Sequence, residues 1–230
     1  MTIKAVLFDM GNTLVKYDYG FPEEVFKRVL SSLGISRSLD DIKKAFLNAK
    51  KKEEYNQLLS SLGKMKCEEY WFQWDSIVLK HLKIEEDEEL PRIIHSRWFD
   101  FVDSTLYPEV MEVILELKRR GLKVGLISTA YEEEIQFILK RADLEKTTFD
   151  IIVGVDTIEK VKPDPDIFRY AISKLNVRPE EAIFVGDSVE ADYEGAENAG
   201  MHALLIDRTE KKQSDLRKIK NLKEILSQID

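Results

Sequence analysis

Four polar side chains of this sequence stand at positions suited to chemistry, at the ends of predicted buried strands or in a loop beside one. Asp9 follows the apolar run Ala5–Phe8, and Ser128 and Asp187 follow similar runs farther along the chain. Short continuous apolar runs are typical of strands buried on both faces of a parallel sheet. Because parallel strands point their carboxyl ends to one edge of a sheet, we expect these side chains to converge there with Lys162.

Each of the four side chains also has an ordinary structural interpretation. Asp9 and Asp187 could begin turns, Ser128 could cap a helix, and Lys162 could be a solvated loop residue. Four such positions in this order, with Asp192 five residues after Asp187, are hard to explain as caps and turns alone. We therefore favour one shared site.

The shared site would have the components of phosphoryl transfer. A carboxylate such as Asp9 can attack phosphorus and form an acyl phosphate that water then hydrolyses. Because carboxylate and phosphate repel each other, the site needs positive charge. Mg²⁺ bound by Asp9 and Asp187 would supply it, together with the ammonium group of Lys162. Ser128 and free backbone N–H groups after Asp9 would hydrogen-bond the phosphate oxygens.

The elements that position these residues predict an α/β fold. After about residue 105 strands alternate with helices, which is typical of a parallel sheet with right-handed crossovers. Residues 16–104 contain amphipathic helical patterns and no convincing strand. We therefore predict a Rossmann-like parallel-sheet core of residues 1–15 and 105–230, with an all-helical domain of residues 16–104 inserted after the first strand.

The helical insert is predicted to hold four helices and all three tryptophans of the chain. Asp40 is the expected N-cap of the second helix, and the tryptophans are expected to pack in a helical core. The predicted helices begin near residues 22, 39, 68 and 86 and end near residues 33, 62, 82 and 100, and the tryptophans are Trp71, Trp74 and Trp98.

Composition excludes several classes of protein. Of 230 residues, 43% are hydrophobic. The net charge is −8, and Lys and Arg are interspersed along the sequence among Asp and Glu. Binding of nucleic acid through a broad basic face is therefore disfavoured. The single cysteine, Cys67, excludes an intrachain disulfide and a cysteine metal cluster. With no signal-peptide pattern and no run long enough to span a membrane, we expect a cytoplasmic protein, and the oligomeric state stays open.

In motif order, these residues resemble the haloacid dehalogenase-like (HAD) hydrolase superfamily, and the resemblance covers nearly the whole chain. The family's first motif, Asp-x-Asp-x-Thr after a hydrophobic strand, corresponds to residues 9–13. Its second motif, a Ser or Thr ending a strand, fits Ser128. Its third, Lys-Pro-Asp-Pro, fits residues 162–165, and its fourth, Gly-Asp-Ser-x-x-x-Asp, fits residues 186–192.

The resemblance implies a role for each motif residue. Asp9 would be the nucleophile and Lys162 the second catalytic residue. Mg²⁺ would be bound by Asp9, Asp187 and the backbone carbonyl of Gly11, with Asp192 supporting the metal. The helical insert would be the family's C1 cap, which covers the site and selects the substrate.

The phosphoryl group of a small-molecule substrate would be held at two strand ends. The resemblance places Ser128 and Thr129 at one of them. Gly11 and Asn12 lie in the turn after Asp9, where their backbone N–H groups can face phosphate oxygens.

The first motif departs from the family pattern at Gly11. In phosphatases of the family this position is a second Asp, which protonates the leaving group and later activates water. Gly11 has no side chain for either task, and general acid catalysis typically contributes about 10²–10⁴-fold.

Three interpretations of Gly11 follow. The protein is a phosphatase whose leaving group needs little protonation, or whose acid comes from elsewhere, with Tyr17, Asp18 and Tyr19 as nearby candidates. It is a 2-haloacid dehalogenase-type hydrolase, although those enzymes usually carry an aromatic residue in place of Gly11 and do not use the metal that the Asp187 motif indicates. It is a non-catalytic phosphate-binding protein. We favour a Mg²⁺-dependent phosphatase that acts on small phosphorylated metabolites through an aspartyl-phosphate intermediate.

Overall fold

The computed structural model describes residues 2–17, 22–84, 88–210 and 215–229. The chain divides into two compact units. The core unit comprises Met1–Lys16 and Ser104–Asp230, and the helical unit comprises Tyr17–Asp103. The role of the helical unit as a cap stays a prediction.

The strands of the described residues form one large sheet and one small one. The large sheet is parallel in every pairing and has the order β5-β4-β1-β6-β7-β8, and β2 pairs with β3 separately. The strands are β1 (Ala5–Phe8), β2 (Val15–Tyr17), β3 (Ser104–Leu106), β4 (Lys123–Ile127), β5 (Ile151–Val153), β6 (Ala182–Gly186), β7 (His202–Ile206) and β8 (Lys218–Ile219).

Helices flank the sheet, and the predicted α/β architecture is confirmed. A π-helical turn covers Val189–Glu194, and 3₁₀ turns cover Lys146–Thr148, Pro179–Glu181 and Leu222–Ser227. The α-helices are α1 (Glu23–Ser32), α2 (Leu39–Lys50), α3 (Glu53–Ser60), α4 (Cys67–His81) and α5 (Glu89–Phe101) in the helical unit, and α6 (Val110–Arg119), α7 (Glu132–Arg141), α8 (Pro165–Leu175) and α9 (Gly195–Asn198) in the core unit.

Strand β1 lies at the centre of the large sheet. All four of its residues are buried, because helices cover both faces of a strand that is flanked by β4 and β6. Phe8 lies opposite Leu126 of β4 and Val185 of β6. The three strands therefore end side by side, which brings the residues after them to one edge of the sheet.

Aromatic side chains form much of the core of the helical unit. The ring of Phe46 packs edge-on against Phe26 at 5.3 Å and against Trp74 at 5.4 Å between centroids. Trp74 is buried, whereas Trp71 and Trp98 are half-buried. The expectation that tryptophans contribute to this core is confirmed for Trp74.

The predicted second helix is wrong in continuity and in its cap. It is divided into α2 and α3, because Lys52 has an extended backbone and ends the helical path. The N-cap of α2 is Ser38, not Asp40. The Ser38 hydroxyl accepts a hydrogen bond from the Asp41 backbone amide, which satisfies a donor of the first turn.

Three short strands escaped prediction. Strands β2 and β3 each bury one residue of three, and β8 has only two residues, so none carries a detectable alternation. The apolar pattern near the C-terminus predicts a helix around residues 222–229, and the structure has a 3₁₀ turn over Leu222–Ser227 there. Within the described ranges, no helix combines the length and the apolar character needed to cross a membrane.

Candidate active site

Asp9 begins the loop that leaves the central strand. Its backbone amide donates to the carbonyl of Val185 at 2.9 Å, which extends the pairing of β1 with β6 by one residue. The residue is 8% exposed. Its Oδ1 accepts a hydrogen bond from Lys162, and Oδ2 has no hydrogen-bond donor within the described ranges. One carboxylate oxygen is thus held and the other is available.

Lys162 lies in the loop between β5 and α8 and joins two carboxylates. Its side chain is 2% exposed, and its Nζ lies 2.6 Å from Oδ1 of Asp9 and 2.6 Å from Oδ1 of Asp192. Helix α8 starts directly after this loop, with Asp164 as the N-cap that accepts from the Asp166 amide. The helix start therefore fixes the backbone that carries Lys162.

Asp192 is held on both of its oxygens. Oδ1 accepts from Lys162, and Oδ2 accepts from the backbone amide of Ser188 at 2.9 Å. A Cβ added at Gly186 would lie 2.3 Å from Cγ of Asp192, so this packing needs a glycine at the end of β6. Asp192 is therefore built to orient Lys162 and the Asp187–Ser188 turn, and its role in supporting a metal stays a prediction.

Asp187 completes a cluster of three carboxylates. Asp9, Asp187 and Asp192 each offer one oxygen, and these oxygens lie within 4.8 Å of one another. The ammonium of Lys162 lies against two of these acids, Asp9 and Asp192. A cluster with surplus negative charge and hard oxygen donors fits a divalent cation such as Mg²⁺.

Burial and charge set the protonation of the pair at the centre of the cluster. Burial raises the pKa of Asp9 to about 6, with Lys162 lowering it and Asp192 and Asp187 raising it further. Burial alone would lower the pKa of Lys162, but the charges and hydrogen bonds of Asp9 and Asp192 raise it above its usual range. Lys162 therefore keeps its positive charge in the buried site.

The loop after Asp9 leaves backbone amides free. Met10 accepts hydrogen bonds on its carbonyl from the amides of Leu14 and Val15, at 3.0 and 2.9 Å, and the Asn12 amide donates to Val15 at 2.7 Å. Asn12 has a φ of 55°. In the part of the chain that the structure describes, the amides of Met10 and Gly11 have no acceptor. The loop thus presents free N–H groups at the edge of the sheet, which is a common anion-binding arrangement.

Ser128 and Thr129 follow β4, the neighbour of β1. Ser128 is buried, and its Oγ accepts a long hydrogen bond of 3.3 Å from the Ala130 amide. Thr129 is exposed, as is Asn12, whereas Gly11 is half-buried. The sheet register brings Ser128 to the edge at which Asp9 lies, and the phosphate-binding roles of these residues stay predictions. The Asn12 N–H group is bonded to the Val15 carbonyl and is therefore not among the free N–H groups expected to face phosphate.

Of the suggested substitutes for the missing acid, Asp18 and Tyr19 lie outside the described residues. Tyr17 ends strand β2 and is half-buried. Whether the leaving group needs a proton therefore depends on the chemistry of the substrate.

Sequence reasoning missed Arg208, which contacts the loop after Asp9. Its Nη2 donates to the carbonyl of Thr13 at 2.7 Å. The signal was present, because Asp207-Arg208 follows the buried strand β7 as Asp9 follows β1. Only the fold shows that the arginine turns back toward the first loop.

Comparisons with known proteins agree with this geometry. A family profile described as haloacid dehalogenase-like hydrolase matches residues 3–200. The chain is 30% identical over 224 residues to pyrophosphatase PpaX from Bacillus cereus. The matched residues make up 96% of this chain and 90% of that protein.

Solved structures show the same fold. The crystal structure of a HAD phosphatase from Thermococcus onnurineus matches with 26% identity and a TM-score of 0.66, over 99% of this chain and 98% of that one. YfnB from Bacillus subtilis, in a crystal form described as bound to magnesium, matches with 20% identity and a TM-score of 0.76, over 100% and 99%. The profile and the relative together show that this chain belongs to the haloacid dehalogenase-like hydrolase family and is a hydrolase.

Proposed function

We propose that the protein is a Mg²⁺-dependent phosphatase that hydrolyses small phosphorylated metabolites through a phosphorylated Asp9. The observation that carries the proposal is the buried Lys162 ammonium, which lies 2.6 Å from both Asp9 and Asp192 beside a third carboxylate. The PpaX relative is named a pyrophosphatase, and the structural neighbour from Thermococcus onnurineus is named a phosphatase. Both names support phosphorus as the reacting centre.

In the proposed reaction the free oxygen of Asp9 attacks phosphorus, the bond to the leaving group breaks, and an acyl phosphate forms on Asp9. Lys162 holds the other oxygen of Asp9 and so fixes the direction of attack. Its charge also offsets the negative charge that accumulates in the transition state. Water then hydrolyses the acyl phosphate and restores the carboxylate.

The donor set fits the metal that the family implies. Asp9 and Asp187 would hold Mg²⁺ with the carbonyl of Gly11, and Asp192 would act beside them through its hold on Lys162 and Ser188. When bound, the cation would supply positive charge to the phosphoryl oxygens. A cytoplasmic location stays a prediction.

Gly11 narrows the expected substrates. Without a carboxylic acid at this position, a leaving group that is stable as an anion should react faster than an alkoxide, which must be protonated as it leaves. Phosphoric anhydrides and acyl phosphates meet this condition, and the name of the PpaX relative points to an anhydride. We expect such compounds to be better substrates than sugar phosphates.

The test is phosphate release from pyrophosphate, acetyl phosphate, an aryl phosphate and sugar phosphates, with and without Mg²⁺. Asp9→Asn should abolish turnover, because the amide is not a nucleophile. The matched control is Asp166→Asn, which changes an exposed aspartate on α8. Activity that survives in Asp9→Asn or in a chelator would overturn the mechanism.

Halide release from a 2-haloacid is measured in parallel, because it tests the dehalogenase alternative. Metal-independent halide release would replace the phosphatase proposal with that one. Absence of both reactions, together with binding of inorganic phosphate, would favour a non-catalytic phosphate-binding protein.

A further inference from the structure

Arg208 makes four contacts, two of which are hydrogen bonds to the loop after Asp9. Nη2 donates to the Thr13 carbonyl at 2.7 Å, and Nε donates to the Asn12 carbonyl at 3.3 Å. Nη1 donates to Oε1 of Glu109 at 2.6 Å. The guanidinium carbon lies 3.4 Å from the centroid of the Tyr107 ring. Each of the three guanidinium nitrogens therefore donates one hydrogen bond, and one face of the group lies over the Tyr107 ring.

The partners of Arg208 are themselves fixed. Glu109 is 5% exposed and precedes α6, whose residue Val113 donates to the Glu109 carbonyl. Burial would raise the pKa of Glu109, but the hydrogen bond from Arg208 and backbone amides lower it below its usual range. Glu109 therefore stays charged and anchors the guanidinium through Nη1, while Nε and Nη2 bind the loop.

The backbone hydrogen bonds of the described residues leave the carbonyls of Gly11, Asn12 and Thr13 unpaired, and Arg208 binds the last two. Internal bonds use the Met10 and Val15 carbonyls, and Leu14 accepts from the Tyr107 amide at 3.0 Å. Asn12 lies in the left-handed region at φ 55°, which asparagine adopts more readily than most residues other than glycine. Arg208 binds the carbonyls of Asn12 and Thr13, and so holds the conformation that places Gly11 beside Asp9.

We propose that Arg208 is a positioning residue for the reaction, which holds the loop of Asp9 and Gly11 in its metal-binding and phosphate-binding conformation. This inference rests on the proposed function for its effect on catalysis, but not for its effect on the loop. Arg208 acts through backbone carbonyls and a planar fork of donors. Lysine keeps the charge that Glu109 requires but cannot reproduce that fork.

The test compares wild type with Arg208→Met and Arg208→Lys. In Arg208→Met we expect kcat to fall about 10- to 100-fold, because a displacement of the reacting groups by about 1 Å has effects of this size. The Mg²⁺ concentration for half-maximal activity should rise, because the Gly11 carbonyl is displaced, whereas KM should change little. Arg208→Lys should recover part of the loss, a response that a merely space-filling residue would not show.

The matched control is Arg169→Met. Arg169 also bonds a carboxylate and a backbone carbonyl of the core unit, Asp166 at 3.2 Å and Asn198 at 3.1 Å. Its side chain is 53% exposed and lies away from the loop. The Arg169→Met variant removes one positive charge, as Arg208→Met does, and similar hydrogen bonds. We expect its kcat and its Mg²⁺ requirement to equal those of wild type.

Hydrogen exchange of the metal-free proteins tests the loop independently of activity. Exchange of peptides covering residues 9–15 should rise about tenfold or more in Arg208→Met and less in Arg208→Lys, with β6 unaffected. If wild type has no phosphatase activity, the proposed function fails while this measurement still decides the role of Arg208. Unchanged exchange in both variants, or an equal rise in Arg169→Met, would overturn the inference. Should Arg208→Met not fold, Arg208→Lys alone decides between these outcomes.

Discussion

Lys162 is the residue on which the proposed chemistry depends most directly. It lies 153 positions from Asp9 in the chain, yet its ammonium joins Asp9 to Asp192 in a buried pair of contacts. Replacement of either carboxylate would leave a buried charge with one partner fewer, which is costly in a low-dielectric environment. The contacts that would orient Asp9 in the proposed reaction therefore also make the fold sensitive to replacement of either carboxylate.

At the scale of residues, the sequence predicted that Asp9, Ser128, Lys162 and Asp187 converge, because each ends a predicted strand or lies in a loop beside one, with Asp192 five residues after Asp187. It did not predict that Asp192 would be held on both oxygens, since that depends on the π-helical turn after Ser188. Nor did it predict Arg208. A long side chain that reaches back across the sheet edge carries no periodic signal in the sequence.

We predict that Gly11→Asp will accelerate the hydrolysis of alkyl phosphates and leave acetyl phosphate nearly unchanged. The gain should be up to about 10²–10⁴-fold, because a carboxylic acid would then protonate the leaving alkoxide. Gly11 is not among the described residues with a positive φ, so a side chain there avoids the steric penalty of the left-handed region. Steady-state kinetics over a series of leaving groups measure the effect.

Asn12→Asp is the control for this prediction. It adds the same charge to the same loop at an exposed position. A rate for alkyl phosphates that rises equally in both variants would show that charge alone is responsible. An unchanged rate in Gly11→Asp would show that another group already supplies the proton.

At the scale of elements, helix α4 carries a buried acid that the proposed reaction does not use. Asp75 is 3% exposed, lies among the buried residues of the helix, and has no hydrogen bond within the described ranges. One turn earlier, the Nε1 of Trp71 is buried and also lacks a partner. Burial raises the pKa of Asp75 well above its usual range, so the folded helical unit favours the protonated acid.

We predict that Asp75→Asn will stabilise the protein in mildly alkaline solution. The folded state holds the proton of Asp75 more tightly than the unfolded state does. The contribution of Asp75 to stability is therefore present below the unfolded pKa of about 4 and is lost as pH rises through the folded value. At pH 8 the substitution should raise the free energy of unfolding by about 1–3 kcal/mol. Urea unfolding at pH 5 and pH 8 measures it.

Asp100→Asn, which alters an exposed aspartate of α5, is the control for Asp75. It should leave the pH dependence of unfolding as in wild type. If Asp75→Asn keeps that pH dependence too, or is less stable than wild type at pH 8, then Asp75 is not the acid responsible.

The elements themselves were largely predictable where periodicity was strong. Strand β1 has the bounds of the apolar run Ala5–Phe8, and β4 and β6 end directly before Ser128 and Asp187 as predicted, because a short apolar run that ends at a polar residue is a strong strand pattern. The division between α2 and α3 was not predictable, since residues 50–52 are three lysines that fit a helix as well as a break. The β2–β3 pair depends on contacts between segments about 90 residues apart in the chain, which no local pattern reveals.

At the scale of the whole molecule, the surplus of acid at the site has a thermodynamic consequence. Three carboxylates converge near one ammonium in the folded state. The unfolded chain disperses them. A divalent cation should therefore bind the folded state preferentially and stabilise it.

We predict that Mg²⁺ will raise the melting temperature of the protein by several degrees. At a concentration of about 100 times its dissociation constant, the added stability is about 2.7 kcal/mol. Differential scanning fluorimetry measures the shift, with NaCl of equal ionic strength as the control for screening. Asp187→Asn should lose most of the shift, because it removes one oxygen ligand. An equal shift in NaCl, or a full shift in Asp187→Asn, would contradict a metal site at this position.

The pairing of β2 with β3 has a consequence for how such a chain can change over generations. The chain passes through β2 before the inserted segment and through β3 after it. Because β2 and β3 pair, the two ends of the inserted segment are neighbours. Insertion at adjacent points is tolerated because loop closure becomes only about 0.6 kcal/mol less favourable for each doubling of length. An insert of different length or composition could thus be exchanged while β1 and β4 keep their register. The amino-acid sequence of the inserted segment and that of the sheet edge with the proposed site can therefore change at different rates.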